Sequence, residues 1–282
     1  MRLKISHMTH YSYEPERRRM VQSLRLEPAP SASQRILSWS IESSGGQMGA
    51  RFLDGAGDLI TTLSVPGPVE KVSITVTGEV ETRDTNGVLR NHKEKTPPLT
   101  YLVGTRFIRS DAAIKALAAD AVDGIDKKNS LDRAHALSAA VAAAVKYTPG
   151  STNSDTTAAE AVEAGEGVCQ DHAHVLISAA QVLDMPARYV AGYMYSTLED
   201  TGESTDEEGE VFSEASHAWA EIWVEGLGWV GFDPSNECCP DERYVRLCSG
   251  RDAFDAAPLR GMAVGFGDEH LDVLVDVDAI QQ

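Results

Sequence analysis

Apolar and polar residues alternate with a period of two through much of the first eighty positions. Val72-Ser73-Ile74-Thr75-Val76-Thr77 is the clearest stretch and has the pattern of a half-buried strand. Leu3/Ile5, Val21/Leu24/Leu26, Ile36/Leu37/Trp39/Ile41 and Leu59/Ile60/Leu63 fall in further short segments. Gly45-Gly46, Asp54-Gly55, Gly57-Asp58 and Pro66-Gly67-Pro68 punctuate them as turns. The pattern predicts a β-sandwich-like domain over residues 1–83, holding no cluster of nucleophile, acid and base. Residues 84–109, with Asn86-Gly87 and Pro97-Pro98, read as an interdomain linker.

The period then becomes helical. Asp111 caps a helix through about Ala121, and either Ser130 or Asp132 starts an alanine-rich second helix running to Lys146. Asp155-Thr156-Thr157 begins a short third helix ending near Gly165. A fourth helix carries Ala173, Leu176, Ile177, Ala180 and Leu183 on its apolar positions, with Cys169 at its start and Pro186 beyond its end. Strands follow at 188–195, 217–225, 229–232 and 271–277, the first two separated by a polar loop. Helices followed by antiparallel strands define an α+β core over residues 110–282.

Composition narrows the setting. With 282 residues and 42% hydrophobic content, the chain is an ordinary globular protein. Its apolar runs are far shorter than the roughly 20 residues of a membrane span. Met1-Arg2-Leu3-Lys4-Ile5 alternates like a strand and lacks the apolar block of a signal peptide, so a cytoplasmic location is expected. A net charge of -18 argues against nucleic acid and anionic membranes as partners. Four cysteines, three of them close together at Cys238, Cys239 and Cys248, fit free thiols in a reducing compartment better than a disulfide framework.

The candidate chemistry lies in three motifs. Cys169 sits in Gly165-Glu166-Gly167-Val168-Cys169-Gln170-Asp171-His172-Ala173-His174, where the helix dipole and unpaired N–H groups favour a thiolate. His217 opens Ser216-His217-Ala218-Trp219-Ala220-Glu221, and Asp233 closes Trp229-Val230-Gly231-Phe232-Asp233-Pro234. A thiol at a helix start, then a His and an Asp on later strands, supplies the nucleophile, proton carrier and orienting carboxylate of thiol acyl transfer. A hairpin through residues 226–228 returns Asp233 to the His217 end of the sheet, a few residues out of register, so a bulge or bend is expected to join them. Gly167, Gln170, His172 and Trp219 are placed at the site edge, and His174 beneath it. The two glycines ahead of Cys169 are expected to leave a strand-free approach to the helix and open space for a substrate carbonyl.

The oxyanion donor expected is the Cys169 backbone N–H, with no such role assigned to Gln170. A metal is not expected, because His172 and His174 lie about 200° apart around a helix. No cofactor is implied. The loop 199–210 carries seven acids and reads as solvated, with a lid role open to it because it precedes His217.

These motifs, in the order Cys, His, Asp, resemble those of the transglutaminase-like superfamily, in particular bacterial proteins with a β-rich N-terminal domain. The resemblance extends through Arg2-Leu3-Lys4-Ile5, Leu26-Glu27-Pro28, Gly250-Arg251-Asp252 and Pro258-Leu259-Arg260-Gly261. It implies a papain-like core in which the Cys helix packs on an antiparallel sheet. It also implies Cys169 as nucleophile, His217 as general acid/base and Asp233 as its orienting partner. The expected activity is hydrolysis of a peptide, isopeptide or other amide through a thioester, or transfer of the acyl group to an amine. A non-catalytic scaffold retaining the fold is the alternative, and the three clustered thiols raise a redox-responsive role as a third.

Overall fold

The computed structural model describes residues 1–196 and 216–280. The acidic loop 199–210 and its lid role lie outside the described residues. Alternation in the first eighty residues produces fewer and longer strands than the sequence suggests: β1 (Arg2–Glu27), β2 (Gln34–Ser43), β3 (Gln47–Leu53) and β4 (Leu59–Thr82). The segments around Leu3 and Val21 are one strand, because β1 continues through register shifts between Ser12, Arg17 and Arg19. Pro66-Gly67-Pro68 is a bend inside β4 and not a strand-ending turn, since Pro66 stays opposite Arg19 and Val69 opposite Arg17. Side chains from both ends of these long strands, among them Met20, Leu24, Leu63, Ile74 and Val76, meet in one apolar cluster. The sandwich-like layering therefore arises from a single bent sheet.

Helices α1 (Ala112–Ala121), α2 (Ser130–Ala144) and α3 (Ala158–Ala164) surround α4 (Cys169–Val182). Asp111 caps α1 by accepting from the Ile114 amide at 2.9 Å. The cap of α2 is Asn129, ahead of both expected residues, Ser130 and Asp132, and its side chain accepts from Asp132 N. Thr157 and Glu160 form a reciprocal capping box on α3. Two short strands, β5 (Lys146–Tyr147) and β6 (Glu166–Gly167), pair in parallel just ahead of α4, so the approach to Cys169 is not strand-free.

The second sheet is antiparallel, in the order β10 (Tyr244–Gly250), β7 (Ala187–Met194), β8 (Ser216–Val224), β9 (Gly228–Phe232). Ala218, Ala220 and Ile222 of β8 share a core with Ala173, Leu176, Ile177 and Ala180 of α4. Small residues on both surfaces let helix and sheet approach closely, and α4 is buried from Asp171 to Ala180. Strand β10 escaped the sequence pattern because every one of its residues is buried, which removes the alternation.

The C-terminal boundary of the core differs from expectation. Strands β11 (Leu259–Val264) and β12 (Asp268–Ala279) pair with β1 and complete the N-terminal sheet. Residues 84–109 run along the edge of β9, where Leu89 N donates to Trp229 O and Gly231 N to Gly87 O, both at 2.9 Å.

Between the two sheets lies a cluster of buried charges. Glu221 of β8 accepts from Arg188 Nε of β7 at 2.6 Å and from Arg246 Nε of β10 at 2.9 Å. Arg246 Nη1 reaches Asp58 at 2.8 Å, and Arg188 Nη1 reaches Glu94 at 2.7 Å. The Arg188 guanidinium also lies over the Trp229 ring, 4.1 Å from its centroid. Burial alone raises the Glu221 pKa, but Arg246 and Arg188 overcome it and hold the carboxyl at about 2, against 4.5 in a free side chain. Its stabilising contribution is complete above pH 4.5 and is lost as pH falls through about 2. Glu221→Gln removes the carboxylate that Arg188 and Arg246 share, leaving each buried cation a single carboxylate partner, and should cost about 3–5 kcal/mol at neutral pH. Urea unfolding at neutral pH checks the cost. The same titration carried down the acid range should show the gap between variant and wild type closing.

Candidate active site

The start of α4 is fixed by its third residue. The Val168 side chain makes no capping hydrogen bond of its own. Instead the Asp171 carboxylate Oδ2 accepts from the Val168 amide at 2.8 Å and from Thr152 Oγ1 at 2.6 Å. An acid in the first turn also answers the helix dipole. Cys169 and Gln170 follow as the first two helical residues, whose amides have no acceptor within the helix. Cys169 is half-buried and carries a free thiol.

His217 lies at the leading end of β8 and is buried, as is Asp233 just past β9. Their Nε2 and Oδ2 atoms are 2.6 Å apart. Of the bulge or bend expected here, no bulge occurs in the β8–β9 pair. Its register runs unbroken to Ala220↔Phe232, which puts Asp233 beside Trp219 and makes His217 its diagonal neighbour. Diagonal pairs in a sheet lie about 7–8 Å apart at the backbone, within reach of an imidazole and a carboxylate.

Asp233 is saturated with donors. Oδ2 also accepts from Tyr244 Oη and Asn236 Nδ2, each at 2.8 Å. Oδ1 accepts from Ser235 N at 3.1 Å and Ser235 Oγ at 2.6 Å. The turn that carries Ser235 and Asn236 closes through Asp233 N to Cys238 O at 2.8 Å. Burial raises the Asp233 pKa, yet the His217, Asn236 and Ser235 hydrogen bonds outweigh it and hold the carboxyl well below the usual carboxylate range. Ser235, Asn236 and Tyr244 were missed from sequence. An Asp-Pro-Ser-Asn string signals a side-chain-bonded turn for the first two, but no local signal marks Tyr244.

With Nε2 committed to Asp233, the second imidazole nitrogen is left for another partner, and Cys169 is near enough for its charge to act on the ring. Burial lowers the His217 pKa. The negative charge of a Cys169 thiolate and the bond to Asp233 raise it more, to about 10. The arrangement favours the imidazolium form of His217.

Two of the site-edge candidates, Gly167 and His172, have other roles in the structure. Gly167 is buried, and a side chain there would strike Asp171, with Cβ atoms 2.7 Å apart; its role is to admit the helix-start carboxylate. His172 is buried with Nδ1 facing Val168 O at 2.9 Å and Nε2 facing Val145 O at 2.8 Å, so it ties α4 to the end of α2 and does not line the edge. His174 packs beneath, stacked 5.5 Å from Phe107, its Nε2 accepting from Ala253 N at 3.0 Å. Burial lowers its pKa to about 4. Gln170 is half-buried beside the thiol. Trp219 is buried, its ring 6.4 Å from His217 and edge-on to Tyr244 at 5.5 Å; Gly192 lies under it, where a side chain would collide with the indole.

The other three thiols are dispersed. Cys238 Sγ lies 3.3 Å from Tyr244 Oη, and Cys248 Sγ donates to Ala256 O at 3.1 Å. Burial raises the Cys239 pKa to about 11. Among the described residues no group of three His, Cys, Asp or Glu side chains is arranged to hold a metal.

Residues 115–234 match the transglutaminase-like superfamily, and residues 3–81 match the bacterial transglutaminase-like N-terminal region. An uncharacterized Mycobacterium leprae protein is 28% identical over 98% of each chain. An uncharacterized Mycobacterium tuberculosis protein is 35% identical over 136 residues, which cover 46% of this chain and 42% of its own. A solved Cytophaga hutchinsonii protein, described provisionally as a cysteine protease, shares the fold with a TM-score of 0.73 at 23% identity, over 100% of this chain and 91% of that one.

Two measurements probe this geometry. Alkylation of Cys169 by iodoacetamide, followed by mass spectrometry, should proceed well below about pH 8 in the wild type. His217→Ala should react only as an ordinary thiol does, near about pH 8.5. Tyr244→Phe removes one donor from the buried Asp233 carboxylate and should lower stability by about 1.5–3 kcal/mol in urea unfolding.

Proposed function

The chain belongs to the transglutaminase-like superfamily, and from that membership we propose that it is a cysteine-dependent enzyme cleaving an amide bond through a thioester. The observation that supports the reading most directly is the buried His217, held by Asp233 at 2.6 Å on one nitrogen, with the charge of Cys169 acting on its ring.

The chemistry follows from those contacts. Cys169 Sγ attacks the carbonyl carbon of the substrate amide, and the oxygen takes up negative charge. The Cys169 amide, unpaired at the start of α4, is the donor suited to that oxyanion. Collapse of the tetrahedral species breaks the C–N bond, and the leaving amine takes its proton from the His217 imidazolium. Neutral His217 then removes a proton from water or an incoming amine, which attacks the thioester carbon. Expulsion of Cys169 Sγ restores the thiolate, with the proton held on His217. Asp233 stays ionised throughout, fixing the ring orientation and stabilising its cationic form.

Water stands first as the acceptor, in keeping with the protease description of the Cytophaga hutchinsonii protein that shares this fold. The substrate proposed is a peptide or protein amide in the cytoplasm.

The test is incubation with a glutamine-containing protein such as casein, in the presence of a fluorescent primary amine. Peptide or ammonia release without amine incorporation identifies a hydrolase, and incorporation identifies a transferase. Cys169→Ala should abolish either activity with its thermal unfolding unchanged. A wild-type protein with neither activity, whose Cys169 alkylates no faster than that of His217→Ala, would instead be a scaffold.

A further inference from the structure

A basic concavity of this acidic protein lies away from Cys169, at the other end of α4. A cavity of about 660 Å³ opens between α1, the C-terminal half of α4 and the segment before α1. That volume falls within the range of small-molecule sites, roughly 300–1,000 Å³. Arg106, Arg109 and Lys115 line it, with Thr105 and Ser178. None of its lining residues is acidic, in a chain with 43 Asp and Glu against 25 Lys and Arg.

Two features separate it from a patch of solvated surface cations. Ser178 is 1% exposed, and its Oγ has no hydrogen-bond partner among the described residues, as is also true of Thr105 Oγ1. A buried hydroxyl left unpaired is costly, and a ligand supplying the partner removes that cost. The cations are also unevenly committed. Arg106 pairs with the exposed Asp155 at 2.6 Å, whereas Arg109 and Lys115 form no ion pair among the described residues. Ile108, Leu102 and Val182 add an apolar wall. Ser178 follows Cys169 by nine residues on α4, which sets the cavity roughly 14 Å along the helix axis from the nucleophile.

We propose that this cavity binds a small organic dianion, its charged head between Arg109 and Lys115 and its carbon portion against the apolar wall. Guanidinium and ammonium groups together suit a phosphate ester or a polycarboxylate, and both present that charged head. The site is independent of the chemistry at Cys169.

Isothermal titration calorimetry of the full chain tests it, with inorganic pyrophosphate and citrate as probes and sodium chloride at matched ionic strength as reference. Saturable binding of at least one probe is expected, weakened about tenfold or more in Arg109→Gln/Lys115→Gln. Which probe binds more tightly distinguishes a phosphate ester from a polycarboxylate. Arg18→Gln/Arg19→Gln, which removes charge from a second open concavity on the N-terminal sheet, should leave binding unchanged. Because Arg109 and Lys115 are exposed, their replacement should leave the thermal unfolding curve in place. The proposal is overturned by absence of saturable binding above the chloride reference, by equal binding in Arg109→Gln/Lys115→Gln, or by loss of binding in Arg18→Gln/Arg19→Gln.

Discussion

The carboxylate of Glu221, buried between the guanidinium groups of Arg188 and Arg246, is the contact on which the architecture turns. Removing three charges from water costs several kcal/mol per ion and is tolerated only where geometry and hydrogen bonds are both satisfied. Here the partners come from separate parts of the chain, and in this group Arg188 Nη2 has no hydrogen-bond partner among the described residues. Asp58 arrives from the turn before β4, Glu94 from the segment along β9, and the three central residues from adjacent strands β7, β8 and β10. An apolar filling would hold these parts together as well, but it would not specify their register so narrowly. Gln34 adds a second fixed point, its side-chain amide bonding both the N–H and the C=O of Arg246. The N-terminal sheet and the core are joined by directional polar contacts as well as by apolar packing.

That constraint bears on the candidate site through β8, which carries both Glu221 and His217. A strand pinned by two arginines cannot slide against its neighbours without separating buried charges, so its leading end is held too. The imidazole is then oriented by a carboxylate that is itself fully engaged. Asp233 receives His217, Tyr244 and Asn236 on one oxygen and Ser235 on the other, leaving it no freedom to rotate. Across the site, Asp171 does for the helix start what Ser235 and Asn236 do for Asp233, tying the backbone beside Cys169 to its own first turn. Preorganisation of this kind keeps the reacting groups in place before any substrate arrives.

The charge of the molecule is uneven in a way its total conceals. At -18 overall, the chain keeps uncompensated cations together along the cavity beside α1 while most other arginines are answered by carboxylates. Long-range repulsion slows the approach of an anion to such a protein, but within a recessed site the nearby cations govern. Helix α4 thus has two chemically distinct ends, a thiol at one and a basic recess at the other.

The sequence by itself determined the α+β class, the alternating β-rich first eighty residues, the helix bounded by Cys169 and Pro186, and the Cys-His-Asp order. Each is a local property, carried by hydrophobic period, by a capping or breaking residue, or by a motif of a few adjacent positions. What only the tertiary structure decided depends on residues far apart in the chain. The pairing of β11 and β12 with β1 joins the two ends of the molecule, and alternation cannot say which strand a strand will meet. The diagonal contact of His217 with Asp233 depends on a hairpin register that a one-residue slip would invert. Tyr244 reaches Asp233 from another strand, and Arg188, Glu221 and Arg246 look in sequence like ordinary surface charges. Their burial follows from which backbone segments surround them, and a pattern along one strand holds no record of its neighbours across the sheet.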